Sequence, residues 1–411
     1  MPEFRAPTGT FDVLPPESRR YERLIGAFAA LVDRAGYGLT VSPMFEEIGV
    51  FSRVGESTDV VRKEMYDFDD KGGRRIALRP EGTASVVRAF VQHRPPVPWK
   101  VWYAAPSFRY ERPQAGRFRQ HHQLGVEALG TDDPDLDVEV VWLLARLYAD
   151  IGLSQVSLQI NSLGDSVCRP VYREALLAFL DSRRDQLCDE HRTGYALNPL
   201  RVLDCKKPAC VAATADAPLP VDHLCEGCQA HWDRVLAGLR SVGVPYDLNG
   251  RLVRGLDYYT RTTFEFWAEA LESAQNGVGG GGRYDGLAES LGGPPTPGIG
   301  FGSGIERILL ACDAEGVFPV PAAEVDVFVI DTTGGSAARD ITTELRAAGI
   351  SADRAFDNRS WRAQMKAAQK SGARFAISVE AEGIQLRTLA EKGEPESLER
   401  ATLVDHVKKR L

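Results

Sequence analysis

Long apolar runs are missing from this 411-residue sequence. None approaches the roughly 20 residues a helix needs to cross a bilayer. The opening stretch MPEFRAPTGTFDVLPPES also lacks the charged-then-apolar pattern of a secretory signal. No membrane partner is expected, and a cytoplasmic chain is. Positive charge is in deficit, with 49 lysines and arginines against 57 acids and a net charge of −8. Bulk charge therefore announces no nucleic acid; DNA is not expected, and RNA would have to be met by local patches. There is no GxxxxGK[ST] loop, and GFGSG is not the dinucleotide fingerprint, so a bound nucleotide would not sit in a glycine cradle. Low-complexity tracts and internal repeats are absent too.

What is present is an ordinary globular balance, 44% hydrophobic and 26% charged, in a chain long enough for two or three domains. Through about residue 165 helical and strand patterns mix. YERLIGAFAALVDRAGY (21–37) has helical spacing and ends at Gly-Tyr-Gly. WKVWYAAPSFRYE (99–111) and HHQLGVEALG (121–130) read as a hairpin with a long arginine-laden loop, and residues 133–152 as a helix with acids at its start. From 166 to 235 a polar, helical, cysteine-bearing segment reads as an insertion. Strand character then returns, and GVFPVPAAEVD (316–326) is a linker. Beyond it, about 325–411, β and α patterns alternate, which predicts a small α/β domain with a largely parallel sheet.

Three stretches carry chemistry. In FRYERPQAGRFRQ (108–120), Arg109, Arg112, Arg117 and Arg119 present four guanidinium forks suited to a triphosphate, although a solvated loop is the plainer reading. In GIGFGSGIER, Gly298, Gly300, Gly302 and Gly304 alternate, so one strand face carries no side chains and a flat ring could lie on it, with Arg307 just beyond. Close strand–helix packing would use the same glycines. In RGLDYYTRTTFEF (254–266), regular alternation puts Tyr258 with Phe264 and Phe266, and Tyr259 with Arg261, Thr263 and Glu265, unless a bulge reverses them. Glu81 and Thr83 head a helical run, where capping is an equal explanation. Gln123 and Glu127 fall on one side of a strand.

These pieces together resemble the class II aminoacyl-tRNA synthetases, and specifically the histidyl-tRNA synthetases, over nearly the whole chain. The hairpin FRYE…RFRQ and GFGSGIER match the class signature, and RGLDYYTR with GGGGRYDGL (279–287) the histidine-specific one. The resemblance implies an α+β fold, with an antiparallel catalytic sheet flanked by helices over 1–165 and 236–320. It also implies a helical insertion at 166–235 and an anticodon-binding domain at 325–411. Its activity would be ATP-dependent, Mg²⁺-assisted attachment of histidine to its tRNA by a homodimer. By likeness, Arg109 and Arg254 meet the α-phosphate, Glu111 the adenine edge, and Arg117 and Arg307 the outer phosphates. Glu81, Gly82, Thr83 and Gln123 receive the amino group of histidine, and Glu127 and Tyr259 its imidazole, with Tyr258 close by. A related regulatory protein, a histidine sensor without aminoacylation, generally lacks the anticodon domain and degrades these motifs.

Two features stay open. Arg359, Arg362, Lys366 and Lys370 recur at helical spacing beside Trp361, a basic face for RNA or a solvated one. Cys188, Cys205, Cys210, Cys225 and Cys228 crowd one segment, leaving Cys168 and Cys312 outside. Cys205, Cys210, Cys225 and Cys228 could form a structural zinc tetrad, with Cys188 or His191 as alternates and His231 nearby, or they could be buried free thiols. His121 and His122 read as packing or loop residues.

Overall fold

The computed structural model describes residues 4–55, 60–203, 205–253, 258–271, 276–321, 325–357, 359–390 and 393–411. Two compact units emerge, one within residues 4–319 and the other chiefly Val320–Leu411.

Among the described residues, the first unit is built on an eight-stranded sheet. Its order is Gly38–Leu39, Trp99–Phe108, Gln120–Leu129, Gly298–Gly304, Gly277–Arg283, Thr260–Ala268, Val156–Ser162 and Asp247–Leu248. Only the two short edge strands pair in parallel; every pairing between them is antiparallel. The expected hairpin is there, in register from Trp99 opposite Leu129 to Phe108 opposite Gln120. One sheet face is apolar. Leu124, Val126, Ile299, Phe301 and Phe264 pack there with Leu24 and Phe28 from the helix Ser18–Asp33 and Leu143, Leu144 and Leu147 from the helix Pro134–Asp150. That second helix starts where local chemistry dictates: Pro134 needs no amide partner, and the Asp133 carboxylate accepts from the Asp135 amide at 3.1 Å.

The opposite face meets the helix Thr83–His93, whose residues Ala84, Val87 and Phe90 share a smaller core with Tyr284 and Leu287. The N-terminal segment is tied to the arginine loop. Arg119 donates its amide to Gly9 at 2.8 Å, and Phe11 packs on Phe118 with ring centres 4.5 Å apart.

Between Val156–Ser162 and Asp247–Leu248 the chain is mainly helical, and Tyr172, Leu176, Leu180, Val202 and Leu203 form a core of their own. Its last helix, Glu226–Ser241, runs past residue 235 and lays Trp232, Val235 and Leu239 against the main core.

Among the described residues, the second unit has a five-stranded sheet ordered Ala352–Arg354, Val327–Asp331, Phe375–Glu380, Gly383–Thr388 and Glu396–Leu398. The expectation of a largely parallel sheet needs correcting. The first three strands are parallel, but the last two add antiparallel to them. Only two residues join Phe375–Glu380 to Gly383–Thr388, too few for a helical crossover, so antiparallel pairing is what that connection allows.

Candidate active site

An open cavity of about 830 Å³, counted to its mouth, lies over the glycine strands. Gly277, Gly279, Gly280, Gly302 and Gly304 form its floor, and Arg109, Glu111, Arg117, His121, Gln123, Glu265 and Arg307 its walls. The bare face is therefore real, but only half of it is open. Built at Gly298, a Cβ would lie 2.3 Å from the Tyr284 ring; at Gly300, it would lie 2.0 Å from the Glu127 carboxylate. At Gly302 the nearest atom is the Gln123 amide nitrogen at 3.5 Å, so that end is free to take a ligand.

The hairpin arginines divide as well. Arg109 and Arg117 reach the cavity, but Arg112 and Arg119 are not among its walls. Arg119 stacks on Tyr110, 4.0 Å from the ring centre, and donates to the Glu111 carbonyl at 3.3 Å. Its place is taken by Arg307, anchored through the carbonyls of Gly116 at 3.0 Å and Gly277 at 2.6 Å. Arg109 donates to Pro80 O at 2.9 Å, and Arg117 faces Glu111 at 3.4 Å. The cations are close enough to act on their neighbours. Burial first, then the charges of Arg109, His122 and Arg307, push His121 down to about 3, which keeps it neutral at physiological pH. His121, read as a packing or loop residue, lies on a strand and lines the cavity, outside both groups of possible metal ligands. His122 does play that part, held by Glu306 through both its amide and its ring.

Behind the Gln123 end, a buried knot of polar groups closes the cavity. Glu127 is fully enclosed and accepts from Thr83 Oγ at 2.7 Å, from the Tyr284 hydroxyl, and from Tyr103 at 3.4 Å. Burial outweighs those bonds and pushes its carboxyl up to about 8. Glu81 caps the helix Thr83–His93, accepting from the amides of Thr83 at 2.5 Å and Ala84 at 2.8 Å. So capping is its structural work, while its buried carboxyl is also held above the usual range. Gly82 has a steric cause, since a Cβ there would fall 2.4 Å from the Tyr103 ring. Gln123 faces the cavity and accepts from Ser107 at 3.2 Å.

The strand parity assigned to the paired tyrosines does not survive. Gly282 pairs with Thr263 but Arg283 with Thr260, a bulge, and Arg261 takes φ of 48° inside it. Alternation restarts only after that kink. Tyr258 and Tyr259 both turn toward the knot, with ring centres 4.7 Å apart, and Tyr258 sits 6.0 Å from Tyr284. Arg254 lies outside the described residues. Tyr103 and Tyr284 went unassigned in the sequence; the signal for Tyr284 was its place at the end of the glycine strand, in phase with the face that holds Glu127.

The four cysteines grouped as one tetrad also part. Cys188, His191, Cys205 and Cys210 make one cluster; Cys225 and Cys228 join Asp165 and Cys168 in another. His231 belongs to neither, and instead bonds Asp137 at 3.1 Å. Asp137 in turn takes Arg283, the largest fully buried side chain among the described residues, at 2.6 and 2.8 Å.

In the second unit, Arg362, Lys366 and Lys370 are exposed on the helix Trp361–Ser371, and Arg359 just precedes it, paired with Asp357 at 3.0 Å. Trp361 turns inward, donating to Glu380 at 3.2 Å.

A family model described as histidyl-tRNA synthetase matches residues 9–308, and one described as anticodon binding domain matches 324–410. The histidine–tRNA ligase of Rhodococcus erythropolis is 52% identical over 380 residues, covering 91% of this chain and 89% of its own. That of Mycobacterium marinum is 47% identical over the whole of both chains. The apo crystal structure of Staphylococcus aureus histidyl-tRNA synthetase superposes with a TM-score of 0.83 at 35% identity, covering 98% of this chain and all of that one. With its antiparallel sheet, arginine hairpin and glycine floor, the chain belongs to the histidyl-tRNA synthetase family.

Proposed function

We propose that this chain activates L-histidine with ATP, forming histidyl-adenylate and pyrophosphate, and then transfers histidine to the 3′ end of its tRNA. The observation that carries this reading is the junction at Gln123. There an arginine-walled cavity, floored by backbone, ends against a buried polar knot of Thr83, Glu127, Tyr103 and Tyr284. Triphosphate chemistry fits the first half, and imidazole recognition the second.

In the first step the histidine carboxylate attacks the α-phosphorus. A carboxyl oxygen–phosphorus bond forms, the bond to the bridging oxygen breaks, and pyrophosphate leaves. No side chain has to remove a proton. The work is alignment of two anions and stabilisation of charge on the phosphorus, for which Arg109 and Arg254 are assigned. Arg117 and Arg307 are assigned to the outer phosphates, and Glu111 to the adenine edge. The Glu265 carboxylate on the cavity wall would hold a Mg²⁺ bound with ATP, which would supply neutralisation of phosphate charge. In the second step a ribose hydroxyl of the tRNA displaces AMP from the carbonyl carbon.

Glu81, Gly82, Thr83 and Gln123 are placed at the amino group, and Glu127, Tyr258 and Tyr259 at the imidazole. Neutral imidazole has one donor and one acceptor. A site that pairs both rejects apolar side chains by roughly 10⁴–10⁵, since its own buried groups would go unpaired. Residues 1–165 and 236–320 form the catalytic core in this reading, 166–235 an insertion, and 325–411 the anticodon domain of a cytoplasmic homodimer. The cysteine clusters lie outside this chemistry, and any zinc they take is structural.

ATP–pyrophosphate exchange with each standard amino acid tests the proposal. Exchange with histidine alone supports it. Histidine binding without exchange would make the chain a histidine sensor.

A further inference from the structure

The cysteines sort by space into two sets, and each set recruits a residue that a disulfide would have no use for. In the first, the ligand atoms of Cys188, His191, Cys205 and Cys210 all lie within 4.8 Å of one another. His191 Nδ1 sits 3.4 Å from Cys188 Sγ and 3.5 Å from Cys210 Sγ. Bond lengths of about 2.3 Å to sulfur and 2.0–2.1 Å to nitrogen give a tetrahedral edge of about 3.6 Å. The observed separations are those of a tetrahedron with room at its centre. The Cys188 amide also donates to Cys210 Sγ at 3.3 Å, an outer bond that orients a thiolate.

The second set, Asp165, Cys168, Cys225 and Cys228, meets the same 4.8 Å limit. Asp165 Oδ1 lies 3.6 Å from Cys168 Sγ and 3.9 Å from Cys225 Sγ, and the Asp165 amide donates to Cys168 Sγ at 3.2 Å. Cys168 and Cys225 each precede the first turn of a long helix, Arg169–Ser182 and Glu226–Ser241, where negative charge is favoured. Three thiolates and a carboxylate would still overcharge a divalent ion. Arg261 answers that excess. Its guanidinium comes within 3.6 Å of Asp165, and its Nε is buried with no hydrogen-bond partner among the described residues.

We infer that this segment holds two separate divalent metal ions, one on Cys188, His191, Cys205 and Cys210 and one on Asp165, Cys168, Cys225 and Cys228. Thiolate-rich tetrahedral donors select zinc. The two ions do different things. The first closes a loop within the insertion's own core, beside Leu187 and Val202. The second clips residues 165–168, the entry of the segment, to 225–228 at the start of its last helix, and holds Arg261 at the kink that starts the tyrosine strand.

Zinc content of the full-length protein, purified without chelator, tests this. Two ions per chain are expected, one in a Cys205→Ser/Cys210→Ser variant, and one in a Cys225→Ser/Cys228→Ser variant. No bound metal overturns the inference, and so does a single ion that both variants abolish, since that is one mixed tetrad. Cobalt(II) titration of the metal-stripped parent chain covers the case in which a variant fails to fold. Thiolate-to-cobalt charge-transfer absorption should grow to two equivalents; saturation at one, or no such band, refutes the pair of sites.

Discussion

Glu127 carries its proton far past the usual carboxyl range, because enclosure outweighs the bonds from Tyr284 and Thr83. Unfolded, the same group titrates near 4.5; folded, it titrates at about 8. Its contribution to stability is therefore full below 4.5 and is lost as pH rises through about 8. Glu127→Gln should flatten that limb of the melting profile, as scanning calorimetry across the interval would read. Seating an imidazole N–H against the carboxylate favours its ionised form, so histidine binding at neutral pH should expel a proton. Titration calorimetry in buffers of different ionisation enthalpy measures this, and Glu127→Gln should abolish it. The glycines make a second residue-scale contrast. Gly300→Ala drives a methyl group into Glu127 and the Val126 carbonyl, 2.0 and 2.4 Å from its Cβ, and should cost at least the ~1–3 kcal/mol of an overpacked core. Gly302→Ala meets nothing closer than 3.5 Å and should spare the melting temperature while raising KM for ATP. Alternation of the glycines was legible in the sequence. Which ones are open was not, because that depends on the side chains of neighbouring strands.

Elements show the same division. The hairpin, the helix Pro134–Asp150 and the glycine strand follow from caps, turns and periodicity, all of them local. The bulge at Arg261 does not. It arises where the strand beginning at Thr260 must pair with Arg283, and that partner is fixed from elsewhere. Arg283 is pinned by Asp137, while His231 reaches the same carboxylate from another helix. Burial alone would raise the Asp137 carboxyl, but the His231 bond and the Arg283 charge hold it low. Three distant stretches thus meet on one ion pair, and no sequence spacing announces it. Asp137→Ala takes from the buried Arg283 guanidinium its closest carboxylate and leaves it the Thr131 and Asp133 carbonyls and Asp285 at 3.4 Å, so a loss of up to about 3–5 kcal/mol is expected in denaturant unfolding. Replacing both partners, Asp137→Leu with Arg283→Met, should recover most of it, since the desolvated charge goes too.

At the scale of the molecule, the two units have separate cores, Val329, Ile341, Leu345 and Ile377 belonging to the second. Chemistry and RNA recognition should therefore be separable. Arg362→Glu with Lys366→Glu reverses an exposed basic face, and is expected to weaken tRNA binding and lower its log–log salt slope by about 1 per cation removed. Pyrophosphate exchange should not change. The division into units was legible from the proline-bearing linker, whereas the antiparallel close of the second sheet was hidden in the two-residue connection after Glu380. The amino-terminal segment has a practical consequence. Through Gly9 and Phe11 it grips the loop that presents Arg109 and Arg117, so an affinity handle fused there pulls on the arginine wall of the cavity. A handle at the other end hangs from the closing helix Leu403–Arg410 of the second unit. Kinetic work on this enzyme is better served by the carboxyl-terminal handle, and tRNA-binding work by the amino-terminal one.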